Sequence, residues 1–489
     1  MKSLYSLNKV LRPGERGLLR HMYGRSTNNE DKLRLRLLDL LTSTAELNDN
    51  EAISGIGHKG GRSAFSHLKR RLREDILNVL LLQESEKRFG ESFRIAAFDC
   101  RKKLAQAYVL MFRGEYSEGL ALLRRAAQIA KTFELPLERA QTDLLVRETL
   151  HTLRDRGHLE SINAEIREDL DLALSMNKAE ELSIVLSAPQ FFKGSKADGR
   201  EEMTMEKAMV EIEDIYKEKR LTKIGFWYLL ARTEHHASEG QYAEVIRYGQ
   251  DFLKLVESSP AVRSKNNIAG VNQTIGYAHL HLGANADAIR HLQVSVDMFR
   301  DGGVNQLRCL EYLFRAQYLK GDVQLAEANV QRALAHPKVS GNERGLAKWH
   351  FFKSLIALKA GDKQTAFREV NRSAALQRGI DSWNLHHRLA DLAIAVETDD
   401  FDWLEFKVES ARKFVARTPG LKIKRVTDLL KLFNILARLG VNDFIKDKTA
   451  QKLLAELTSA ESNAQWDPTG PELFRVDLWM KALTPRPES

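Results

Sequence analysis

Apolar residues recur at three- and four-residue intervals along almost the whole chain, and the alternation that marks half-buried strands is nearly absent. That rhythm predicts helices throughout. Glycines punctuate it, and the stretches after five of them read alike. The blocks are GEYSEGLALLRRAAQ from Gly114, GQYAEVIRYGQDFLK from Gly240, GANADAIRHLQVSVD from Gly283, GDVQLAEANVQRALA from Gly321 and GDKQTAFREVNRSAA from Gly361. The last four glycines are 43, 38 and 40 residues apart. A weaker block, GHLESINAEIREDLD, begins at Gly157, and residues 175–220 leave room for one degenerate unit.

Each unit predicts a helix, a Gly-led turn and a second helix. Gly suits the turn because a chain leaving a helix passes through a left-handed conformation that costs Gly least. Five places on stand Gly119, Ala288, Ala326 and Ala366, small enough to let two antiparallel helices approach closely. Leu123, Leu292, Val330 and Val370 then fill the space beside them, and Ala126, Ser295, Ala333 and Ser373 are small again.

With Tyr116 and Tyr242 two places after their glycines, and Ala107 and Gly276 upstream, these units resemble tetratricopeptide repeats. The spacing lies nearer 40 than the family's usual length of about 34. The first-helix Trp is missing, and Val245, Gly249 and Phe252 break the size series in the second block. HEAT-like or other α-solenoid repeats are the alternative. The resemblance covers residues 95–380. It implies an all-α, right-handed superhelical solenoid of antiparallel helical hairpins whose first helices line a concave groove. Tyr108, Phe112, Trp227, Tyr228, His350, Phe351 and Phe352 lie on first helices, with Arg101, Lys348 and Lys353 beside them. Of these, Arg101, Tyr108, Phe112, Trp227, Lys348 and Lys353 are the expected contacts to a peptide or partner helix.

Three segments result. Residues 1–90 form a basic N-terminal helical domain, residues 91–380 the repeat array, and residues 381–489 further helical repeats or a cap. A stack of hairpins needs such a cap to cover its last apolar face. NAQWDPTG, from Asn463, reads as loop, and a short last helix is expected near residues 471–483.

Composition changes this picture little. Apolar residues make up 43% and charged residues 29% of 489, the balance of a folded soluble chain. Two distant cysteines, Cys100 and Cys309, fit neither a disulfide framework nor a Cys-rich zinc site. The opening MKSLYSLNKVLRPGERG lacks a signal-peptide core, and the longest apolar run, Ile76–Leu82, is interrupted by Asn78. A cytoplasmic protein without a membrane span is the expectation.

Charge matters more. Fifteen Lys and Arg stand against nine Asp and Glu in residues 1–75, so six of the nine net positive charges are there. In GHKGGRSAFSHLKRRLREDILNVLLL, Phe65, Leu68, Leu72, Ile76 and Val79 mark one buried helix face. Arg62, Lys69 and Arg73 fall on an adjacent strip, with Arg70 further round. The segment comes after LRLRLLDLL and NEAISGIG, and helix, short helix, Gly turn, basic helix is the plan of a helix-turn-helix. In that reading Arg62, Ser63, Ser66 and His67 reach base edges, while Lys69, Arg70 and Arg73 meet phosphate or an acidic partner. The other reading is a helical cap with a solvated charged face.

Enzyme signatures are missing. HKGG lacks Walker spacing, there is no HExxH, and His235–His236, His279–His281 and His386–His387 are spaced so that their rings leave the helix on different faces. No nucleophile elbow or dinucleotide loop occurs. No cofactor or metal is expected. The chain reads first as a non-enzymatic interaction scaffold that binds a protein or peptide. The second reading is a transcriptional regulator, similar to bacterial regulators that join a helix-turn-helix to such repeats.

Overall fold

In a computed structural model, residues 1–44, 47–82, 92–154, 157–187, 205–379, 382–459, 464, 466–467 and 472–485 are described. The chain divides into two compact units, Met1–Gly90 and Glu91–Ser489. Among the described residues every regular element is a helix.

The N-terminal unit contains α1 (Lys2–Val10), α2 (Pro13–Gly24), α3 (Asn29–Ser43), α4 (Asp49–Ile56) and α5 (Arg62–Leu82). The starts are written locally. Pro13 opens α2 at a position whose N–H has no helical partner. Asn48 and Glu51 form a reciprocal capping box on α4. Gly57, at φ 65°, ends α4 in the left-handed region. Phe65, Leu68, Leu72, Ile76 and Val79 of α5 close the core against Leu19, Leu37, Leu38 and Ile56.

The second unit runs as hairpins. They are α6 (Ser92–Phe112) with α7 (Tyr116–Thr132), α8 (Pro136–Thr152) with α9 (Leu159–Ser187), and, after α10 (Met205–Lys219), α11 (Thr222–Ser238) with α12 (Tyr242–Ser258). Next come α13 (Lys265–His281) with α14 (Asn285–Met298) and α15 (Val304–Lys320) with α16 (Val323–Leu334). The single turn α17 (Pro337–Ser340) leads to α18 (Glu343–Lys359) with α19 (Lys363–Arg372). Beyond them lie α20 (Ser382–Glu397) with α21 (Phe401–Arg417), α22 (Lys424–Phe444) with α23 (Lys448–Thr458), and α24 (Val476–Lys481). In this unit successive helices pack on one another along the chain, the pattern of a repeat stack, and Leu159–Ser187 also packs past Met205–Lys219 onto Thr222–Ser238.

The hairpin turns are built one way. Gly114, Gly240, Gly283, Gly321 and Gly361 all have φ between 69° and 98°. In each, the next N–H reaches five residues back, as Glu115 to Leu110 O at 2.9 Å and Asp322 to Gln317 O at 2.9 Å. This is the closure that satisfies the last carbonyls of a helix. Asp399, at φ 57°, occupies the same place between α20 and α21, with Asp400 N–H on Ala395 O at 3.0 Å. Leu404, Val408 and Ala411 come next at the repeat's buried positions, so the pattern continues past residue 380. In the weaker block Arg154, at φ 58°, takes the left-handed conformation.

Small residues bring the paired helices together. A Cβ on Gly276 would lie 2.7 Å from Leu292 Cγ and 3.3 Å from the Ala288 carbonyl oxygen. A polar clasp recurs on the second helix, eight residues after the turn residue. His236 stacks on Tyr248, Asn272 meets His291 at 2.8 Å, Asn329 donates to Gln317 at 2.7 Å, His350 meets Glu369 at 2.7 Å and Lys407 donates to Asp391 at 2.9 Å. The apolar seam and the polar clasp together fix the register of each pair.

Candidate interaction surfaces

The expected groove residues share repeat positions but not surroundings. Arg101, Trp227 and Lys348 each stand thirteen residues before a turn glycine. Arg101 is exposed and donates from Nε and Nη2 to Oε1 of buried Glu138, at 2.9 and 2.6 Å. Trp227 is half-buried, edge-on to Phe226. Lys348 is enclosed: its Nζ pairs with Glu311 and lies 4.4 Å over the Trp383 ring, and burial lowers its pKa. Lys353 stands 3.8 Å from Glu369. Burial would raise the Glu369 carboxyl, but His350, Lys353 and Arg372 outweigh it and hold it below the usual range. Phe351 and Phe352 are fully buried core residues.

Tyr108 and Phe112 are different. Tyr108 is 59% exposed and Phe112 85%, one helical turn apart on α6. They border a pocket of about 150 Å³ whose far wall is Leu145, Glu148, Thr149 and Thr152 of α8. A larger hollow of about 480 Å³ shares Leu145 and Glu148 and continues over Leu144 and His151 to α9. Here the first helices of the first two hairpins present open apolar surface. The α8 residues carry little local signal, because only the weaker block at Gly157 marks their repeat. Beside them Asp143 is pushed up to about 6 by burial and by repulsion from Glu165 and Asp169, against Arg139.

The C-terminal helices are closed by an ion network. Arg425, on α22, pairs with Glu472 at 2.5 Å and Asp477 at 3.0 Å, and its Nη1 reaches the carbonyls of Leu457 and Ala464. All three charged side chains are at most 6% exposed. Buried charges persist only with satisfied partners, and this set satisfies them.

On the N-terminal unit, Arg62, Ser63, Ser66, His67, Arg70 and Arg73 are exposed on α5. Lys69 turns back, its Nζ on Asp49 and 5.2 Å over the Phe65 ring. Arg70 stands 4.0 Å from Glu74, and both are exposed. Among the described residues no three His, Cys, Asp or Glu side chains converge on a metal-sized site, and no helix is long and apolar enough to cross a membrane.

No protein-family model and no curated protein matches the chain. Among solved structures it is similar to the TPR domain of P58(IPK), determined at 2.5 Å. That pairing has 12% identity, covers 73% of this chain and 99% of the other, and has a TM-score of 0.22. At that level it adds nothing to the turns, seams and clasps above, which carry the assignment on their own. The array is tetratricopeptide-like. Such a repeat stack is an interaction-scaffold kind of fold.

Proposed function

We propose that the chain is a non-enzymatic scaffold that binds a peptide or helix of another protein across α6 and α8. The exposure of Tyr108 and Phe112 at the mouth of a pocket carries this reading. Large aromatics left open beside apolar hollows are what protein partners use as anchors. The partner's apolar side chain enters between Phe112 and Leu145, and Arg101 and Glu148 set its polar contacts. The test is co-purification of the tagged full chain from its native cells, with partners identified by mass spectrometry. Tyr108→Ala with Phe112→Ala is expected to lose a partner that Phe406→Ala, another exposed aromatic, on α21, retains. Recovery of the same partners by both variants overturns the reading.

A second reading is favoured by one observation, the outward basic face of α5. On that reading the N-terminal unit contacts nucleic acid while the array holds a protein partner.

A further inference from the structure

We propose, resting on that second reading, that the occupant of the α5 face is duplex DNA, held by Arg62, Ser66, Arg70 and Arg73 in the major groove. The helix turns about 100° per residue, so these four side chains fall within about 80° of one another. The centre of that sector lies about 120° round the helix from Phe65, Leu68, Leu72, Ile76 and Val79, which anchor the helix in the core. The face is therefore presented rigidly, on a helix 21 residues long. From Arg62 to Arg73 it runs about 16 Å, a span that crosses several phosphates of a groove wide enough to admit a helix.

The charge balance points the same way. The acidic groups of the unit are largely spent inside it: Arg34 takes Asp31 and Asp75, Arg20 takes Asp39, and Lys69 takes Asp49. Among the described residues Arg62 donates to Asn50 Oδ1 at 3.4 Å, and neither Arg62 nor Arg73 has a carboxylate partner. The Arg70–Glu74 pair is solvated on both sides, and such pairs are worth about 0–1 kcal/mol, so a phosphate displaces Glu74 readily. Arg36 adds a cation at the turn, donating to Ile56 O at 3.3 Å. The strip faces solvent with fixed positive charge and a short hydroxyl between, which suits a regular row of phosphates with base edges behind them better than an acidic peptide of variable spacing. Lys69 is outside this set, because its ammonium is already held by Asp49.

The experiment is fluorescence anisotropy of a labelled mixed-sequence duplex with the full chain, between about 50 and 200 mM salt. Competitors are single-stranded RNA and polyglutamate. Wild type is expected to bind, with affinity falling steeply as salt rises. Arg62→Ala, Arg70→Ala and Arg73→Ala together should weaken binding at least tenfold and lower the log–log salt slope by up to about 3. Removing three exposed cations of the second unit, with Arg412→Ala, Lys413→Ala and Lys446→Ala, should leave both unchanged. Matching circular dichroism and melting curves establish that the variants fold. Duplex binding that the α5 triple variant retains, or that the control triple loses equally, overturns the α5 face but leaves a nucleic-acid contact. Tighter competition by RNA overturns duplex DNA alone. Stronger competition by polyglutamate, or no binding at the lowest salt, overturns the proposal and the second reading together.

Discussion

Tyr108 and Phe112 stand six and two residues before Gly114, and Tyr277 and His281 stand six and two before Gly283. The same repeat position thus carries two fates. On α6 the pair is open. On α13, Tyr242 stacks on His281 at 3.9 Å and Tyr312 lies 5.0 Å from Tyr277. Burial there lowers His281 to about 4, against the charge of Asp467 from the C-terminal segment, and raises Tyr277. The first hairpin rests on a small core around Cys100, Ala107, Leu123 and Ala126. From Ala269 onward one continuous core extends to Met480. Repeat grammar decides that a side chain faces inward along the stack. The residues opposite decide whether that side chain holds the fold or is free to bind.

The sharpest break in this comparison is truncation of one aromatic at each end. Phe352 is fully buried and stacks on Phe314 at 4.2 Å. Phe352→Ala is expected to cost about 3–5 kcal/mol, a lost side chain plus the cavity it leaves. Phe112→Ala should cost no more than about 0.5 kcal/mol. Urea unfolding of both variants reads the difference directly. Equal losses would mean that Phe112 is core, and the proposed binding surface on α6 would fall with it.

The sequence made some of this legible. Five glycines before amphipathic runs report left-handed turns because few other residues adopt that conformation cheaply, and the small–large–small series reports the helix seam. Asp399 escaped, since an Asp–Asp pair reads as solvated loop until its φ is known. The clasp between Asn272 and His291, nineteen residues apart, obeys the repeat and could be sought at position eight. Arg425 with Glu472 could not, because 47 residues separate them and no period links them. Exposure was the least legible property. Arg101 and Lys348 occupy one repeat position, yet only the neighbouring Trp383 and Glu311 make Lys348 a buried, spoken-for charge.

The two ends also differ in their response to pH. Asp143 has a folded pKa of about 6, above its unfolded value of 3.8, so the native state keeps that proton to higher pH. Its stability contribution is full below 3.8 and is lost as pH rises through 6. The full shift corresponds to about 3 kcal/mol, and the group's partial exposure reduces that to about 1 kcal/mol. Asp143→Asn should therefore raise the melting temperature at pH 7 and do nothing near pH 4. His281 tilts the other way: its folded pKa of about 4 lies below 6.5, so stability falls as pH drops through that window. Melting curves of Asp143→Asn and His281→Phe across this range separate the two. A pH-independent effect of Asp143→Asn would show that the carboxyl is not strained.

The finest test concerns the turn that links the legible repeats to the illegible one. If Asp399 does the work of a turn glycine, then an aspartate should be tolerated where glycine stands. Gly361 is the place to ask. Its φ is 75°, and a Cβ there would meet nothing within 4 Å, so any cost of substitution is conformational. Aspartate enters the left-handed region at modest cost because its short polar side chain bonds to nearby backbone, whereas a β-branched residue does not. Gly361→Asp is expected to cost about 1 kcal/mol and Gly361→Val at least about twice that. The Asp362 cap on α19, with Thr365 N–H on Oδ1 at 3.0 Å, lies one residue beyond and is left intact. Equal costs for the two variants would mean that side-chain chemistry is irrelevant at this turn. The equivalence of Asp399 with the five glycines would then rest on backbone shape alone.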